Sequence, residues 1–252
     1  MTKTQLELKD VAVNVVAGHE VKNLLEHINL TLNQGDFATV IGTNGAGKST
    51  MFNAIAGDLE ITHGTIELAG ERVDRESPEK RARLIARVFQ DPKMGTAPRM
   101  TVAENLALAS HRGERLGLQS RALRAQMGHF KDIAGLAPNG LDEALNKPTE
   151  ELSGGQRQAL SLLMATMRNP ELLMLDEHTA ALDPHTSAAV MELTEQIVAD
   201  NHLTCLMVTH QMDDALNYGN RLIVVDAGHI VADYSGEEKQ GLSRADLLQY
   251  FA

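Results

Sequence analysis

The sequence predicts an α/β fold built on a mostly parallel sheet, and two patterns support this prediction. In the last third of the chain, the strand-like runs ELLMLDE, LTCLMVTH and RLIVVDAGHIVADY are separated by the helical segments SAAVMELTEQIVAD and DDALNYGN. Such alternation favours parallel strands with right-handed crossovers. Near residue 40, the apolar run FATVI leads through a glycine-rich loop into KSTMFNAIAG, a helical pattern that we expect to end at Gly57.

Two other regions differ from this pattern. Before the glycine-rich loop, LELKDVAVNVV and HINLTL read as strands, and HGTIELAGERV reads as a hairpin strand that returns to the same antiparallel sheet. From about residue 96 to residue 151 the chain is rich in Ala, Leu, Arg and Gly with helical periodicity. We therefore expect one domain over residues 1–252 with a helical subdomain inserted at about 96–151, and the amphipathic segment RADLLQYF packed outside.

Length and composition limit what this chain can be. Its 252 residues can form a real core, and 43% apolar and 23% charged residues are ordinary for a globular protein. The start MTKTQLELKD has no apolar signal region, and the apolar-rich stretch QALSLLMATM is closed off by Arg157 and Arg168. We expect a protein that is neither secreted by that route nor membrane-spanning.

The single cysteine and the net charge narrow the compartment and the partners. Cys205 lies in the strand-like run LTCLMV, so we expect a small core residue in a reducing cytoplasm. The net charge of -11 repels phosphate backbones, so no nucleic acid partner is expected. A nucleotide is still compatible with this charge, because backbone amides and one lysine can build its site.

The loop GTNGAGKST, residues 42–50, matches the phosphate-binding pattern at Gly42, Gly47, Lys48 and Ser49. Glycines let successive N–H groups point at a phosphate, and the helix that begins near Lys48 adds the positive end of its dipole. Lys48 can reach the β and γ oxygens, and the Ser49 hydroxyl can ligate Mg²⁺. The other loop residues expected to contact the nucleotide are Thr43, Asn44, Gly45, Ala46 and Thr50.

The run LLML delivers Asp176 and Glu177 to the end of a predicted strand. Paired with the phosphate loop, Asp176 is expected to hold Mg²⁺ through a water, and Glu177 to act as general base or to orient the attacking water. The next residue, His178, could form a zinc site with these carboxylates. Because Asp176 and Glu177 are already expected to serve magnesium chemistry, we favour a structural role for His178, or a role in the water network.

A third motif, LSGGQ at residues 152–156, predicts a second anion-binding helix terminus. Ser153 and Gln156 fit a capping box at the start of the helix QRQALSLLMATM, and Gly154 and Gly155 expose free N–H groups. One chain has only one phosphate loop to use such a terminus. We therefore expect this helix N-terminus to contact a nucleotide that is bound by a second copy of the chain.

Together these motifs resemble those of the ATP-binding subunit of ABC transporters, in the same order over nearly the whole chain. The six matches are GTNGAGKST with Walker A, Gln90 in VFQDP with the Q-loop, LSGGQ with the signature, LLMLDE with Walker B, Asp183 in AALD with the D-loop, and His210 in VTH with the switch histidine. The resemblance implies a P-loop NTPase fold of the ABC type, with an antiparallel N-terminal β subdomain and an inserted helical subdomain.

The resemblance also implies a mechanism. Two chains would form a head-to-tail homodimer with ATP between the phosphate loop of one and LSGGQ of the other, and Asp183 would contact the partner. Gln90 would contact the metal or the γ-phosphate at the start of the helical subdomain, and His210 would donate a hydrogen bond to the γ-phosphate. Closure on ATP and opening after hydrolysis would drive a permease between its inward-facing and outward-facing states.

We expect the energising subunit of a membrane importer, a cytoplasmic protein peripheral on the inner face of the cell membrane. Its cofactors would be ATP and Mg²⁺, and its partners a transmembrane permease and an extracytoplasmic solute-binding protein. DEHTAALDP resembles a subgroup linked to uptake of hydrophobic, aromatic or branched-chain amino acids, and KMGTAPRMTVAEN is a candidate lining for a permease-binding groove. A soluble ABC-type ATPase of a cytoplasmic assembly, such as iron–sulfur cluster scaffolding, is the alternative.

The sequence departs from the family at the adenine contact. No Phe, Tyr or Trp occurs between Met1 and Asp36, where the family usually has an aromatic ring at a place that aligns best with Val15. We therefore expect adenine to rest on aliphatic groups such as Val15 or Val21, with weak ATP binding by the monomer and reduced selectivity for ATP over GTP.

Overall fold

The computed structural model of the chain describes residues 3–18, 20–114 and 123–251. Its strands are β1 (Thr4–Ala17), β2 (Glu20–Asn33), β3 (Phe37–Ile41), β4 (His63–Leu68), β5 (Glu71–Arg72), β6 (Ile85–Val88), β7 (Leu172–Asp176), β8 (Cys205–Val208), β9 (Arg221–Asp226) and β10 (His229–Ser235). Its helices are α1 (Lys48–Ala56), α2 (Pro78–Arg81), α3 (Val102–Ala109), α4 (Leu123–Ala134), α5 (Gly154–Thr166), α6 (Pro184–Asp200), α7 (Met212–Asn217), α8 (Gly236–Gln240) and α9 (Arg244–Leu248).

The central sheet has the strand order β10-β9-β3-β8-β7-β6. Each neighbouring pair from β9 to β6 is parallel, and β10 is antiparallel to β9. The residues of β3 and β8 are all buried, because helices or the second sheet cover both faces of this sheet. The predicted mostly parallel core is confirmed.

The N-terminal sheet is antiparallel, with the order β2-β1-β4-β5, as predicted. Its first two strands are each 14 residues long, which is longer than the runs visible in the sequence. Bulges interrupt their pairing, and Asp10 and His27 both take φ 51 near one of them. The Asp10 carboxylate accepts hydrogen bonds from His27 Nδ1 at 2.6 Å and from His63 Nε2 at 3.1 Å.

Apolar side chains on the two faces of the central sheet pack into two large cores, and a third, smaller cluster joins β3 and β9 to α7 and α9. Along β7, Leu173 and Leu175 pack with α3, α4, α5 and α6, whereas Leu172 and Met174 pack with the N-terminal sheet and α1. This division follows from strand geometry, since successive side chains point to opposite faces. The phosphate loop, between β3 and α1, lies on the side of the N-terminal sheet, because its residue Ala46 packs in the core shared with that sheet.

Helices α3 and α4 and short 3₁₀ turns occupy the region predicted as helical. Thr101 caps α3 by accepting a hydrogen bond from Glu104 N at 3.2 Å. The predicted helical segment QSRALRAQMGHFKDIAGL starts at residues 119–122, which lie outside the described residues, and α4 forms most of its remainder. Treating 96–151 as a subdomain remains a prediction.

Cys205 and the C-terminal segment were also predicted from the sequence. Cys205 is fully buried, as expected, and burial raises the pKa of its thiol well above the usual value. The predicted C-terminal helix is present as α9 and buries Leu247. Across the described ranges, every helix is too short or too polar to cross a membrane.

Candidate active site

The phosphate loop turns sharply between β3 and α1, and two of its glycines are needed for that turn. Gly47 has φ 111, and a Cβ there would lie 2.9 Å from Leu25 Cδ2 and 3.2 Å from the Leu24 carbonyl oxygen. A Cβ on Gly42 would lie 2.0 Å from the carbonyl oxygen of Val225. Larger residues would therefore push the loop away from β2 and β9.

Lys48 begins α1 and is buried beneath the loop. Its Nζ donates hydrogen bonds to the carbonyl oxygens of Gly42 at 2.8 Å and Thr43 at 3.0 Å. Burial lowers the pKa of this ammonium, and the negative charge of Glu177 opposes that shift. The positive charge is thus held inside the loop, where a phosphate group can meet it.

A cavity of about 500 Å³ opens over this loop, and we call it the phosphate-loop cavity. It brings together loop residues, Glu177 and His210, as the sequence predicts. It also includes residues that the sequence did not single out, because they come from β2 and the β9–β10 turn. Those unpredicted residues are Lys22, Asn23, Leu24, Ala227 and Gly228.

Glu177 and His210 face each other in the phosphate-loop cavity. His210 Nε2 lies 2.6 Å from Glu177 Oε1, and the Glu177 side chain is 16% exposed. Glu177 has φ 48, a left-handed backbone that is uncommon for a residue other than glycine. Its N–H donates to Val208 O at 3.0 Å and its carbonyl accepts from Ala180 N at 3.0 Å, so the backbone is fixed on both sides.

Asp176 ends β7, but its carboxylate is already paired. Arg87 Nη2 donates to Asp176 Oδ2 at 2.6 Å, and Asp176 is not among the residues that line the phosphate-loop cavity. Ser49 does line that cavity. A hydroxyl and a carboxylate are hard oxygen donors of the kind that Mg²⁺ prefers, so the donor types of Ser49 and Asp176 fit the expected ion.

The signature residues form the predicted capping box at the start of α5. Gln156 N donates to Ser153 Oγ at 3.2 Å, and Ser153 N donates to Gln156 Oε1 at 3.2 Å. A Cβ on Gly155 would lie 2.2 Å from Thr186 Cγ2, so glycine allows α5 and α6 to approach closely. None of residues 153–156 lines the phosphate-loop cavity.

Asp183 caps α6 in this structure. Its Oδ1 accepts a hydrogen bond from Thr186 N at 3.1 Å. The Thr186 side chain and backbone both hydrogen-bond to this carboxylate and lower its pKa. Gln90, which follows β6, is exposed and does not line the phosphate-loop cavity. The structure therefore does not bring Gln90, Asp183 and the phosphate loop into one cavity.

His178 is buried at 2% exposure and is turned away from the carboxylates beside it in sequence. Its Nε2 lies 3.1 Å from Thr194 Oγ1, and that hydroxyl donates to Val190 O at 2.8 Å. Because the hydroxyl proton is already used, Nε2 must carry the hydrogen that bridges to Thr194. Burial lowers the pKa of His178 to about 4, so the ring is neutral near pH 7.

Val15 and Val21, the two aliphatic side chains proposed to contact adenine, have different positions on the β1–β2 hairpin. Val15 pairs with Lys22 across the β1–β2 hairpin, and Lys22 lines the phosphate-loop cavity. Val16 pairs with Val21, and these two side chains are 76% and 64% exposed. Val15 thus pairs with a residue of the cavity wall, whereas Val16 pairs with Val21, which does not line the cavity.

A phosphate loop after β3, carboxylates at the end of β7 and a histidine after β8 define a P-loop nucleoside triphosphatase. Residues 25–180 match the family described as ABC transporter, and the chain belongs to this family. The predicted family is therefore confirmed.

Several relatives are similar over most of their length. The chain is 41% identical over 232 residues to the tyrosine transport ATP-binding protein of Clostridioides difficile (strain R20291), covering 92% of each chain. It is 34% identical to the thiamine import ATP-binding protein of Photobacterium profundum, covering 83% of this chain and 82% of the relative.

Two solved structures extend the comparison. A dimeric, post-hydrolysis ATP-binding cassette bound to ADP and Pi is 26% identical, with a TM-score of 0.76, and the match covers 91% of this chain and 98% of that one. The ADP conformation of another cassette of an ABC transporter is 25% identical, with a TM-score of 0.79 and 99% coverage of both chains. These similarities confirm the predicted fold class.

Proposed function

We propose that this chain binds and hydrolyses ATP to energise a membrane importer, and that its cargo is an amino acid or a similar small solute. The similarity to a tyrosine transport ATP-binding protein supports an amino-acid cargo. The thiamine import relative supports the direction of transport. Both relatives are transport proteins by name, which favours a membrane transporter over the alternative of a soluble ATPase in a cytoplasmic assembly.

One observation carries the proposed dimer. The capped N-terminus of α5 presents glycine N–H groups, yet residues 153–156 lie outside the phosphate-loop cavity of the same chain. A helix N-terminus attracts anions through its free N–H groups and its dipole. We infer that this terminus contacts ATP held by a second copy, and that Asp183 contacts that copy.

The side chains in the phosphate-loop cavity then have distinct tasks. The amides of residues 42–50 and the Lys48 ammonium bind the phosphates. Glu177 takes the proton of the attacking water, and His210 Nε2 donates a hydrogen bond to the Glu177 carboxylate or to the γ-phosphate. The fixed, left-handed backbone at Glu177 keeps this carboxylate aimed into the cavity.

Three oxygen-bearing side chains are the proposed ligands of Mg²⁺: the Ser49 hydroxyl, the Asp176 carboxylate through a water, and the Gln90 side chain. When bound, Mg²⁺ neutralises charge on the phosphate oxygens. Gln90 lies outside the cavity in this structure, so its contact requires the segment after β6 to move inward. Such a movement would link the metal site to the helical region that follows.

A second cavity, of about 490 Å³, is the proposed seat of a permease segment, and we call it the groove. Apolar side chains of β6, α3 and α5 make up much of its wall, and Gly95, from the segment predicted to line such a groove, also contributes. Binding there would hold the chain at the inner face of the membrane, and an extracytoplasmic protein would deliver the solute to the permease.

The proposal is tested by affinity purification of the tagged chain from detergent-solubilised membranes. We expect to recover a membrane protein with several spans. In vesicles, we expect the transport substrate to stimulate ATP hydrolysis. Recovery of a soluble assembly alone would support the alternative.

Ser153→Arg is expected to bind ATP but not to close the dimer, and normal hydrolysis by a monomeric Ser153→Arg protein would refute the sandwich arrangement.

A further inference from the structure

Arg87 lies inside the buried strand β6, and its guanidinium contacts three other elements. Nη2 donates to Asp176 Oδ2 at 2.6 Å, and Nη1 donates to Asn53 Oδ1 at 2.9 Å and Asp58 Oδ2 at 3.1 Å. The guanidinium carbon lies 4.9 Å from the centre of the Phe89 ring. One side chain thus joins β7, the helix after the phosphate loop and the segment that leads to Gln90.

The pair formed by Arg87 and Asp176 is poorly screened. The two side chains are 14% and 18% exposed, so solvent weakens their attraction much less than it would at the surface. The same positive charge opposes any second cation that approaches this carboxylate. The positive charge of Arg87 therefore weakens the binding of a divalent ion at Asp176, unless phosphate oxygens add further negative charge.

We propose that Arg87 is a positioning residue that raises the divalent-cation concentration required by the nucleotide site, by holding Asp176 Oδ2 and opposing the charge of the ion. This inference rests on the proposed function, in which Asp176 serves the metal. It makes ion binding depend on bound nucleotide. Arg87, Asp58 and Phe89 also line the groove, so a permease segment seated there contacts the side chain that neutralises Asp176.

The test is the Mg²⁺ dependence of nucleotide binding, measured by equilibrium titration of the full chain with a fluorescent ADP analogue. In Arg87→Met the half-saturating Mg²⁺ concentration is expected to fall by about three- to tenfold, because one nearby positive charge is removed. An unchanged or higher requirement in a folded Arg87→Met protein would overturn the inference. Arg244→Met, which removes an exposed pair with Asp213, is the matched control and should leave the requirement unchanged.

Asp176→Asn separates failure of this inference from failure of the proposed function. If Asp176→Asn leaves the Mg²⁺ requirement unchanged, the metal role of Asp176 is wrong. If Asp176→Asn changes it and Arg87→Met does not, only the role of Arg87 is wrong. If Arg87→Met does not fold, Asp58→Asn is titrated with Mg²⁺ in its place. Asp58 is 51% exposed, and its loss leaves the positive charge of Arg87 less balanced. A higher Mg²⁺ requirement supports the inference, and no change refutes it.

Discussion

His210 Nε2 lies 2.6 Å from Glu177 Oε1, at the ends of two neighbouring parallel strands of the central sheet. This short approach brings the residue proposed as general base next to the residue proposed to sense the γ-phosphate. Both side chains line the phosphate-loop cavity. A change at either residue is therefore expected to act on hydrolysis more than on nucleotide binding.

Glu177→Gln removes the proposed base and keeps the size of the side chain. Hydrolysis is expected to fall by about 10² to 10⁴, the range for losing general-base assistance, while ATP-dependent dimerisation persists. Phosphate release assays measure the first quantity, and size-exclusion chromatography with ATP measures the second. Undiminished turnover would show that another group accepts the proton. Lys48→Ala is the contrasting variant, because it should abolish ATP binding itself.

The contact between α5 and α6 can be tested with three substitutions. Gly155→Ala is expected to destabilise the fold by ~1–3 kcal/mol, because a Cβ would lie 2.2 Å from Thr186 Cγ2. Gly154→Ala is the matched control, since its nearest neighbour, Leu182 Cδ2, lies at 3.5 Å, an ordinary contact. Adding Thr186→Ser to Gly155→Ala removes the methyl group and should restore much of the loss. Urea denaturation measures each change, and equal effects at both glycines would contradict this account.

Elements with a strong local pattern were predictable from the sequence. FATVI is β3 with the same bounds, and the helix after the phosphate loop ends at Gly57, which has φ 88 and donates its N–H to Asn53 O. These elements are set by apolar runs, glycine and capping residues that lie close together in the chain. The phosphate loop, Glu177 and His210 were proposed as site residues for the same reason, because each follows a recognisable buried strand.

Features that depend on distant residues were missed. Arg87 and Asp176 are 89 positions apart, and no local pattern joins them. An arginine inside the apolar run before VFQ was a usable signal, because a charge in a buried strand requires a partner. The long β1–β2 hairpin was underestimated because its bulge places Asp10 and His27 at positive φ, where the sequence has no glycine. The cavity residue Gly228 is held against the loop by its N–H, which donates to Ala46 O at 2.8 Å.

The buried ring of His178 predicts loss of stability in acid. Its folded-state pKa of about 4 is below the ordinary value of 6.5, so the unfolded chain takes up the proton first as the pH falls. The contribution is fully present above 6.5 and declines toward pH 4, with about 2 kcal/mol lost between pH 6.5 and about pH 5.

His178→Phe provides the comparison for this pH dependence. It removes the titrating group, and Thr194 can still donate to Val190 O. The free energy of unfolding of the variant should fall less than that of the wild type over the same pH range, as measured by urea denaturation at several pH values. Parallel pH profiles for the two proteins would contradict a neutral, buried His178.

The adenine contact can be strengthened by design. Val15 pairs with Lys22, which lines the phosphate-loop cavity, so Val15→Tyr places a ring next to a residue of the cavity wall. ATP binding to the monomer is expected to tighten by about tenfold, because stacking of a base on an aromatic ring contributes ~1–3 kcal/mol. Val16→Tyr, at a position that is 76% exposed in the native chain and pairs with Val21 outside the cavity wall, should leave the affinity unchanged. Fluorescence titrations with ATP and GTP measure both variants, and equal responses at the two positions would place the base elsewhere.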